Sequence, residues 1–479
     1  MLTKFPLKID YVQIVIFFSF FLSLILSTYY LKNYDKYPDL ENSNHLMIKS
    51  DSYRYLSHGA EIKKDLDDGK KFFETGREHF TKYLPPRLAA AYYYLLDIDL
   101  FNNFDEKKIN IGIHFPYLLI QSLIYYLSLI FLYSAISIKI EKKICLPIIA
   151  FLCIEPTIFQ YHGTFWSESI FFSLQIIVLT LILKNKINVF NFFILGVFIS
   201  LLSLQRQTAY FFIIPIFFYY LIFIKKNEYY KLIFLFIGFF TIQSIVGYNN
   251  LVRDNKFYFL SGDTKTAIYY NIGEQLVSEG NDLTREEFRN FDSKMAQNWL
   301  QKNFIKFDTK NVANKIKNAR FPFKVYRQSI VNESDKVLFD NFYAKKTIEI
   351  LLNKPWWSFK IILKNSMHST LLNPFHIYSD HNFIDSEYYY LTETHDKLIP
   401  IRIFYSILIY TISLLGFFTL VLKKEYKLLS ILMLSIIYSY GMISWHGNTR
   451  YFVPVLIYLS FFFGYGCNNL LLSLKKFKK

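Results

Sequence analysis

The chain has 479 residues, 53% of them hydrophobic and 20% aromatic, with a formal net charge of +16. Repeated apolar blocks of roughly 20 residues, the length that crosses a bilayer core, exclude a string of small water-soluble domains. The lysine clusters are short and scattered between those blocks, which excludes nucleic acid as a partner; Cys145, Cys153 and Cys467 show no metal or disulfide spacing.

Lys4 and Lys8 precede the first apolar run, at residues 11–31. That run is too long for a cleaved leader and no small-residue cleavage site follows it, so it reads as a retained signal anchor. A polar stretch continues to about residue 113. Further spans are predicted at 115–138, 145–159, 165–183, 189–204, 208–224 and 232–248. A second polar stretch covers 249–398, and three last spans fall at 399–422, 428–444 and 451–472. The expected fold is an all-α polytopic membrane protein with about ten transmembrane helices and two long extracytoplasmic loops carrying amphipathic helices. Residues 1–248 form an N-terminal transmembrane module that includes the first loop at 32–113. The long loop at 249–398 and C-terminal helices at 399–479 complete it.

Lysine marks alternate connections: Lys139, Lys142 and Lys143; Lys184 and Lys186; Lys225, Lys226 and Lys231; Lys423, Lys424 and Lys427; and the tail from Lys475. The other short connections carry little beyond Arg206 and Arg450. The positive-inside rule then places both termini in the cytoplasm and both long loops outside a cytoplasmic (inner or plasma) membrane. Anionic and neutral membrane lipids are the expected surroundings.

In the first loop, Tyr53, Leu56, Ala60, Ile62 and Leu66 recur at helical spacing. The pattern predicts an amphipathic helix along the membrane surface, ended by Gly69. Asp65, Asp67 and Asp68 offer oxygen ligands to a divalent cation, but Lys63, Lys64, Lys70 and Lys71 alternate with them, so a solvated helix face is the preferred reading. Pro85-Pro86 precedes a second helical run over residues 87–101. The second loop carries charged helical stretches over 285–302 and 312–320. Around Lys354-Pro355-Trp356-Trp357 it turns interfacial in character, with an apolar segment to about Leu372.

Asp51 lies about twenty residues after the first span, just before the first loop's amphipathic helix. A carboxylate at the membrane–water boundary can take a proton from a hydroxyl or amine as that atom attacks a sugar anomeric carbon; the plainer alternative is a helix cap, in competition with Ser52. Arg206 and Arg450 stand at span ends, where a guanidinium can meet a lipid phosphate or simply snorkel. His446 shares the short connection of Arg450. Glu168, at a span edge, suits an ion pair with an arginine or a place in a site. Glu155, before Pro156, is a buried acid that needs a partner, and Gln243 suits an interhelical hydrogen bond. His376, Asp380, His381 and Asp385 match no metal-binding pattern, and no metal or cofactor is assigned.

The series Asp51-Ser-Tyr-Arg54-Tyr, then Gly69, then Tyr83-Leu-Pro85-Pro86-Arg87 entering a helix resembles membrane glycosyltransferases of the GT-C fold. The aminoarabinose transferases and protein mannosyltransferases that use polyprenyl-phosphate sugars are the nearest in pattern. Ser167-Glu168, Arg206 within Leu-Gln-Arg-Gln, and Arg450-Tyr451-Phe-Val-Pro454 extend the likeness along the chain. The chain has Ser52 where many such enzymes carry a second acid, and Leu84 where some have lysine. The resemblance implies an inverting transfer of one sugar from a polyprenyl-phosphate donor to a lipid, glycan or protein acceptor on the extracytoplasmic face. Asp51 would be the base. Arg206, Arg450, Arg87 and Arg54 would hold the donor phosphate, with Glu168, His446 and Tyr83 nearby. Two other classes compete: a polysaccharide polymerase or O-antigen ligase, which would rely on second-loop residues such as Arg327 or His376, and a lipid-linked-sugar flippase or other transporter.

Overall fold

Long apolar stretches have nowhere to place backbone polar groups except against one another, so they fold as helices. The computed structural model describes residues 10–32, 51–76, 83–98, 111–165, 167–184, 187–255, 257–259, 269, 284–316, 319, 322–373, 393–443 and 449–477. Among them there is no β-sheet, only an isolated bridge between Phe307 and Ile330.

Helix α1 (Tyr11–Lys32) is followed in the first polar stretch by α2 (Asp51–Asp67) and α3 (Leu84–Leu95). Then come α4 (Phe115–Ile136), α5 (Lys142–Ile154), the single turn α6 (Pro156–Phe159), α7 (Glu168–Lys184), α8 (Val189–Gln205), α9 (Ile213–Phe223) and α10 (Leu232–Asp254). The second polar stretch holds α11 (Arg285–Lys302), α12 (Thr309–Ile316), α13 (Pro322–Ser329), α14 (Glu333–Asn353) and α15 (Pro355–Thr370). Helices α16 (Glu393–Leu422), α17 (Tyr426–Ile443) and α18 (Thr449–Phe477) close the chain.

Five helices among the described residues are long and apolar enough to cross a membrane, and a bent pair, α5 with the segment after Pro156, makes a sixth. This is a helical membrane protein. Helices α8, α9 and α17 are apolar but shorter. The membrane count by length is thus lower than the ten apolar blocks, although a helix occupies each of those blocks.

The third block does not run straight. Pro156 has no N–H to donate, and the chain bends by 42° at this point. The Glu155 carboxylate caps the new turn, accepting from Ile158 N at 2.8 Å, and its other oxygen accepts from the Tyr405 hydroxyl of α16 at 2.7 Å. Both oxygens of this buried acid are thus used in holding the break. Gln243 of α10 donates to the hydroxyls of Ser200 and Ser203 on α8, at 2.9 and 2.8 Å, which is the predicted interhelical bond. The two helices approach closely because Gly196 faces α10: a Cβ there would stand 2.1 Å from the Leu235 carbonyl oxygen.

The amphipathic α2 does not lie apart on a surface. Leu56 and Ala60 are buried in the same core as the apolar helices, and Gly59 lets α2 press on α3 at Ala89. Gly69 ends the segment with φ of +84°, as expected for a residue without a Cβ. Helix α3 starts at Leu84, with the two prolines in its first turn where missing N–H groups cost nothing, and ends at Leu95, earlier than the sequence suggested. Lys63 pairs with Asp67 and Lys70 with Asp65, each at 2.6 Å, so the acidic cluster is an ion-paired helix face.

The second polar stretch has a core of its own, built on Phe323, Phe339, Tyr343 and Leu300. Buried Asp292 accepts from the hydroxyls of Tyr269 and Tyr343 and from Phe323 N. Arg327 forks onto Asp340 at 2.7 and 2.9 Å.

Candidate active site

Two clusters of chemically capable side chains lie at the end of the bundle that carries the long connections. The first forms where α3 and the 72–76 segment meet the end of α10. The Arg87 guanidinium lies 3.5 Å from the centre of the Tyr83 ring. Its Nη2 donates to Asn249 Oδ1 at 2.6 Å and to the Thr75 carbonyl at 3.4 Å. Asn249 donates in turn to the Phe73 carbonyl at 2.6 Å. Gly76, with φ of +91°, leaves room beside the guanidinium. Burial lowers the Arg87 pKa to about 10; Tyr83 opposes the shift and the nearby charge of Arg253 adds to it. Arg253, one turn beyond Asn249, donates to Asn250 Oδ1 at 3.0 Å and to the Tyr258 hydroxyl at 3.2 Å. Two cations therefore share a largely buried corner whose acceptors on these contacts are neutral amide, carbonyl and phenol oxygens.

The second cluster sits where α7 begins and α8 ends. Arg206 Nη1 stands 3.3 Å from Glu168 Oε1, and both side chains are buried. The guanidinium also lies 5.5 Å from the Phe171 ring. Gln205 donates to the Ser167 carbonyl at 2.9 Å and fixes the same corner. Arg206 is therefore neither a snorkelling anchor nor an isolated cation; a carboxylate holds it within the protein.

Beside this pair, with Phe171 shared between them, is a small cleft. Phe171, Leu202, Ala209, Phe212, Met442 and Pro454 make it mainly apolar, and Gln175, Thr208, Ser439 and Tyr458 add polar atoms. Gln175 spends its amide N–H on the Pro454 carbonyl at 3.0 Å, and its buried oxygen has no hydrogen-bond partner among the described residues. Every lining residue belongs to the loop-bearing half of its helix. Its composition, apolar walls with a few polar atoms, is that of a surface that contacts an apolar group carrying a polar atom.

The structure thus joins Glu168 with Arg206 and Tyr83 with Arg87, as two clusters rather than one. Helix α3 packs on α8, so the first loop reaches the helix that delivers Arg206. The backbone at Asp51 opens α2, and Thr449 and Arg450 open α18 four residues before the cleft-lining Pro454. The side chains of Asp51, Arg54 and Arg450, and the whole of His446, His376, Asp380, His381 and Asp385, lie outside the described residues. Asn249, Arg253, Gln175 and Tyr458 went unnoticed in the sequence. The Asn249-Asn250 pair followed by Arg253 was a readable signal, since such polar residues at a span end seldom face lipid.

Among the described residues, no three His, Cys, Asp or Glu side chains group to hold a metal ion. No protein-family model, no curated protein and no solved structure matches this chain.

Proposed function

We propose that the protein is an inverting membrane glycosyltransferase that takes a sugar from a polyprenyl-phosphate donor. In this reading ten helices cross the membrane, both termini are cytoplasmic and the reaction takes place on the extracytoplasmic face. Asp51 removes the proton of the acceptor hydroxyl or amine as that atom bonds to the anomeric carbon. The bond from that carbon to the phosphate oxygen breaks, and the polyprenyl phosphate leaves with the electron pair. Negative charge grows on that oxygen, and guanidinium groups at a poorly hydrated boundary stabilise it.

The observation that carries this reading is the cleft that shares Phe171 with the Arg206–Glu168 pair. It is mainly apolar, it opens in the half of the bundle nearest the motif-bearing first loop, and α18, whose first turn carries Arg450, lines it. Its walls are mainly apolar, as contact with an isoprenoid chain requires, and the Arg206 guanidinium lies 5.5 Å from the lining Phe171 ring. Arg327 gives the polymerase reading no support, because Asp340 already occupies its fork. Glu155 gives the transporter reading none, because both its oxygens hold the α5–α6 break.

The test is incubation of the purified protein with radiolabelled polyprenyl-phosphate sugars and native membrane lipids, followed by product analysis. Wild-type protein yields a labelled acceptor, and Asp51→Asn yields none while inserting normally. Transfer retained in Asp51→Asn removes the proposed base.

A further inference from the structure

Helix α15 is amphipathic in the wrong sense for a helix in water. Its outer face carries Trp356, Trp357, Phe359, Leu363 and Met367, all exposed, with Trp356 72% and Met367 67% accessible. The face turned into the protein carries Ser358, Asn365, Ser366 and Ser369, all buried, with Ile361 buried and Ile362 partly buried beside them. A soluble domain places its apolar stripe inward. A contiguous apolar face turned outward marks a contact with something apolar.

The position of the helix identifies that contact. The chain leaving α15 is tied into the membrane-crossing bundle. The Tyr410 hydroxyl of α16 donates to the Thr370 carbonyl, Arg402 donates to the Leu371 carbonyl at 3.0 Å, and the Ser406 hydroxyl accepts from Leu372 N at 2.9 Å. Gln160, beyond the α5–α6 break, donates to the Asn373 carbonyl at 3.1 Å. Tyr410 stands about eleven residues, roughly 16 Å of helix, inside the apolar stretch that starts at Ile399. A tyrosine side chain leaning back toward the start of its helix spans less than half of that drop. The end of α15 therefore lies below the level of Ile399, at a depth where Phe404, Ile407 and Leu408 of α16 are themselves exposed. Helix α15 also packs on α18. Its apolar face is thus continuous with the lipid-facing side of the bundle.

We infer that α15 is a membrane-inserted interfacial helix whose Trp356–Met367 face contacts bilayer lipid at the boundary between headgroups and acyl chains. Its exposed lysines fit that placement. The Lys360 ammonium lies 4.9 Å from the centre of the Trp357 ring, and a lysine stem is long enough to carry its charge from an apolar face to headgroups. The second polar stretch is then not a loop standing wholly in water. It is a small helical domain, built around Phe323 and Tyr343, that dips back into the membrane before the chain enters α16. This inference needs only the membrane-crossing bundle and stands whatever reaction the protein performs.

The full-length protein is reconstituted into phosphatidylcholine bilayers whose acyl chains carry bromine near the headgroup. The five tryptophans include Trp356 and Trp357, so their emission is isolated as the difference between wild type and the Trp356→Phe/Trp357→Phe variant. Bromolipid is expected to quench this component about twofold or more, with aqueous iodide having a much smaller effect. Emission quenched by iodide and not by bromolipid places the helix in water and overturns the inference. Emission shielded from both, in particles whose scattering mass is that of a dimer, assigns the face to a second copy and overturns it equally. The two phenylalanines keep an aromatic ring at each position, and identical gel-filtration profiles of both proteins confirm that the difference arises from a common fold.

Discussion

Glu168 and Arg206 form a buried pair, and burial makes such a pair unforgiving. Each charge loses water and keeps the other as compensation, so removing one partner strands the second. Glu168→Gln alone is expected to lower stability by about 3 kcal/mol or more, read as a drop in thermal unfolding temperature in detergent. Glu168→Gln/Arg206→Met removes both charges and should recover most of that loss. The double variant separates two roles: a purely structural pair restores transfer together with stability, whereas a pair that also meets the donor phosphate restores the fold alone. Asp10 shows the opposite regime, at the exposed end of the bundle. It accepts from Lys142 at 2.8 Å and from Tyr133 at 2.7 Å, and these bonds hold its carboxyl below the usual range. Its contribution is therefore complete above the ordinary carboxylate pKa and disappears as pH falls through the lowered value. The unfolding temperature of wild type should exceed that of Asp10→Asn at neutral pH, and the gap should close on acidification below the usual carboxylate range. A gap independent of pH would show that the bonds to Lys142 and Tyr133 contribute nothing through charge.

Helices in this bundle meet by close backbone approach as much as by side-chain volume. Gly196 against Leu235 and Gly238 against Phe193 leave no space for a methyl group between α8 and α10. Small residues serve the same end in other membrane helix pairs. Gly441, near the end of α17, is the contrasting case: a methyl group there would meet nothing within 4 Å, and its φ is not positive. Gly196→Ala should therefore force α8 from α10, break the Gln243 bonds and reduce the folded yield sharply. Gly441→Ala should be neutral or stabilising by about 0.5–1 kcal/mol through lost unfolded-state freedom. Equal unfolding temperatures for the two variants would deny the close approach. At this scale the sequence was most legible. Hydropathy is a local property, so the starts of α1, α4 and α8 at Tyr11, Phe115 and Val189 could be read directly. Pairings across the chain could not. Arg87 and Asn249 are 162 residues apart, Glu155 and Tyr405 are 250 apart, and no periodicity links such positions. The burial of α2 against α3 was hidden for a similar reason: an amphipathic stripe states that one face is covered, not by what.

For the whole molecule, the open quantity is how many helices cross, and length brings the question to a point. A helix of 17 residues rises about 26 Å, just short of the roughly 30 Å hydrocarbon core and at the lower limit for a crossing. Helices α7 and α8 have that length, and α9 continues a preceding turn of 3₁₀ helix from Gln207. Their short runs are compatible with crossing because the ends are built to be wet or paired: Asn188 caps α8 at one end and Arg206 with Glu168 closes the other. The lysine alternation does not separate the two cases, since Lys184 and Lys186 share a side with Lys225 and Lys226 whether α8 and α9 both cross or turn back as a re-entrant pair. Single cysteines in a cysteine-free background decide it. Probes at Asn188, Asn227 and Lys424 should react with a membrane-impermeant maleimide from one face, and probes at Gln207 and Asn303 from the other. Should Gln207 react from the same face as Asn188 and Asn227, the α8–α9 pair is a re-entrant hairpin. Arg206 would then stand on the far side of the membrane from the domain around Phe323, and the proposed donor site would lose one of its walls.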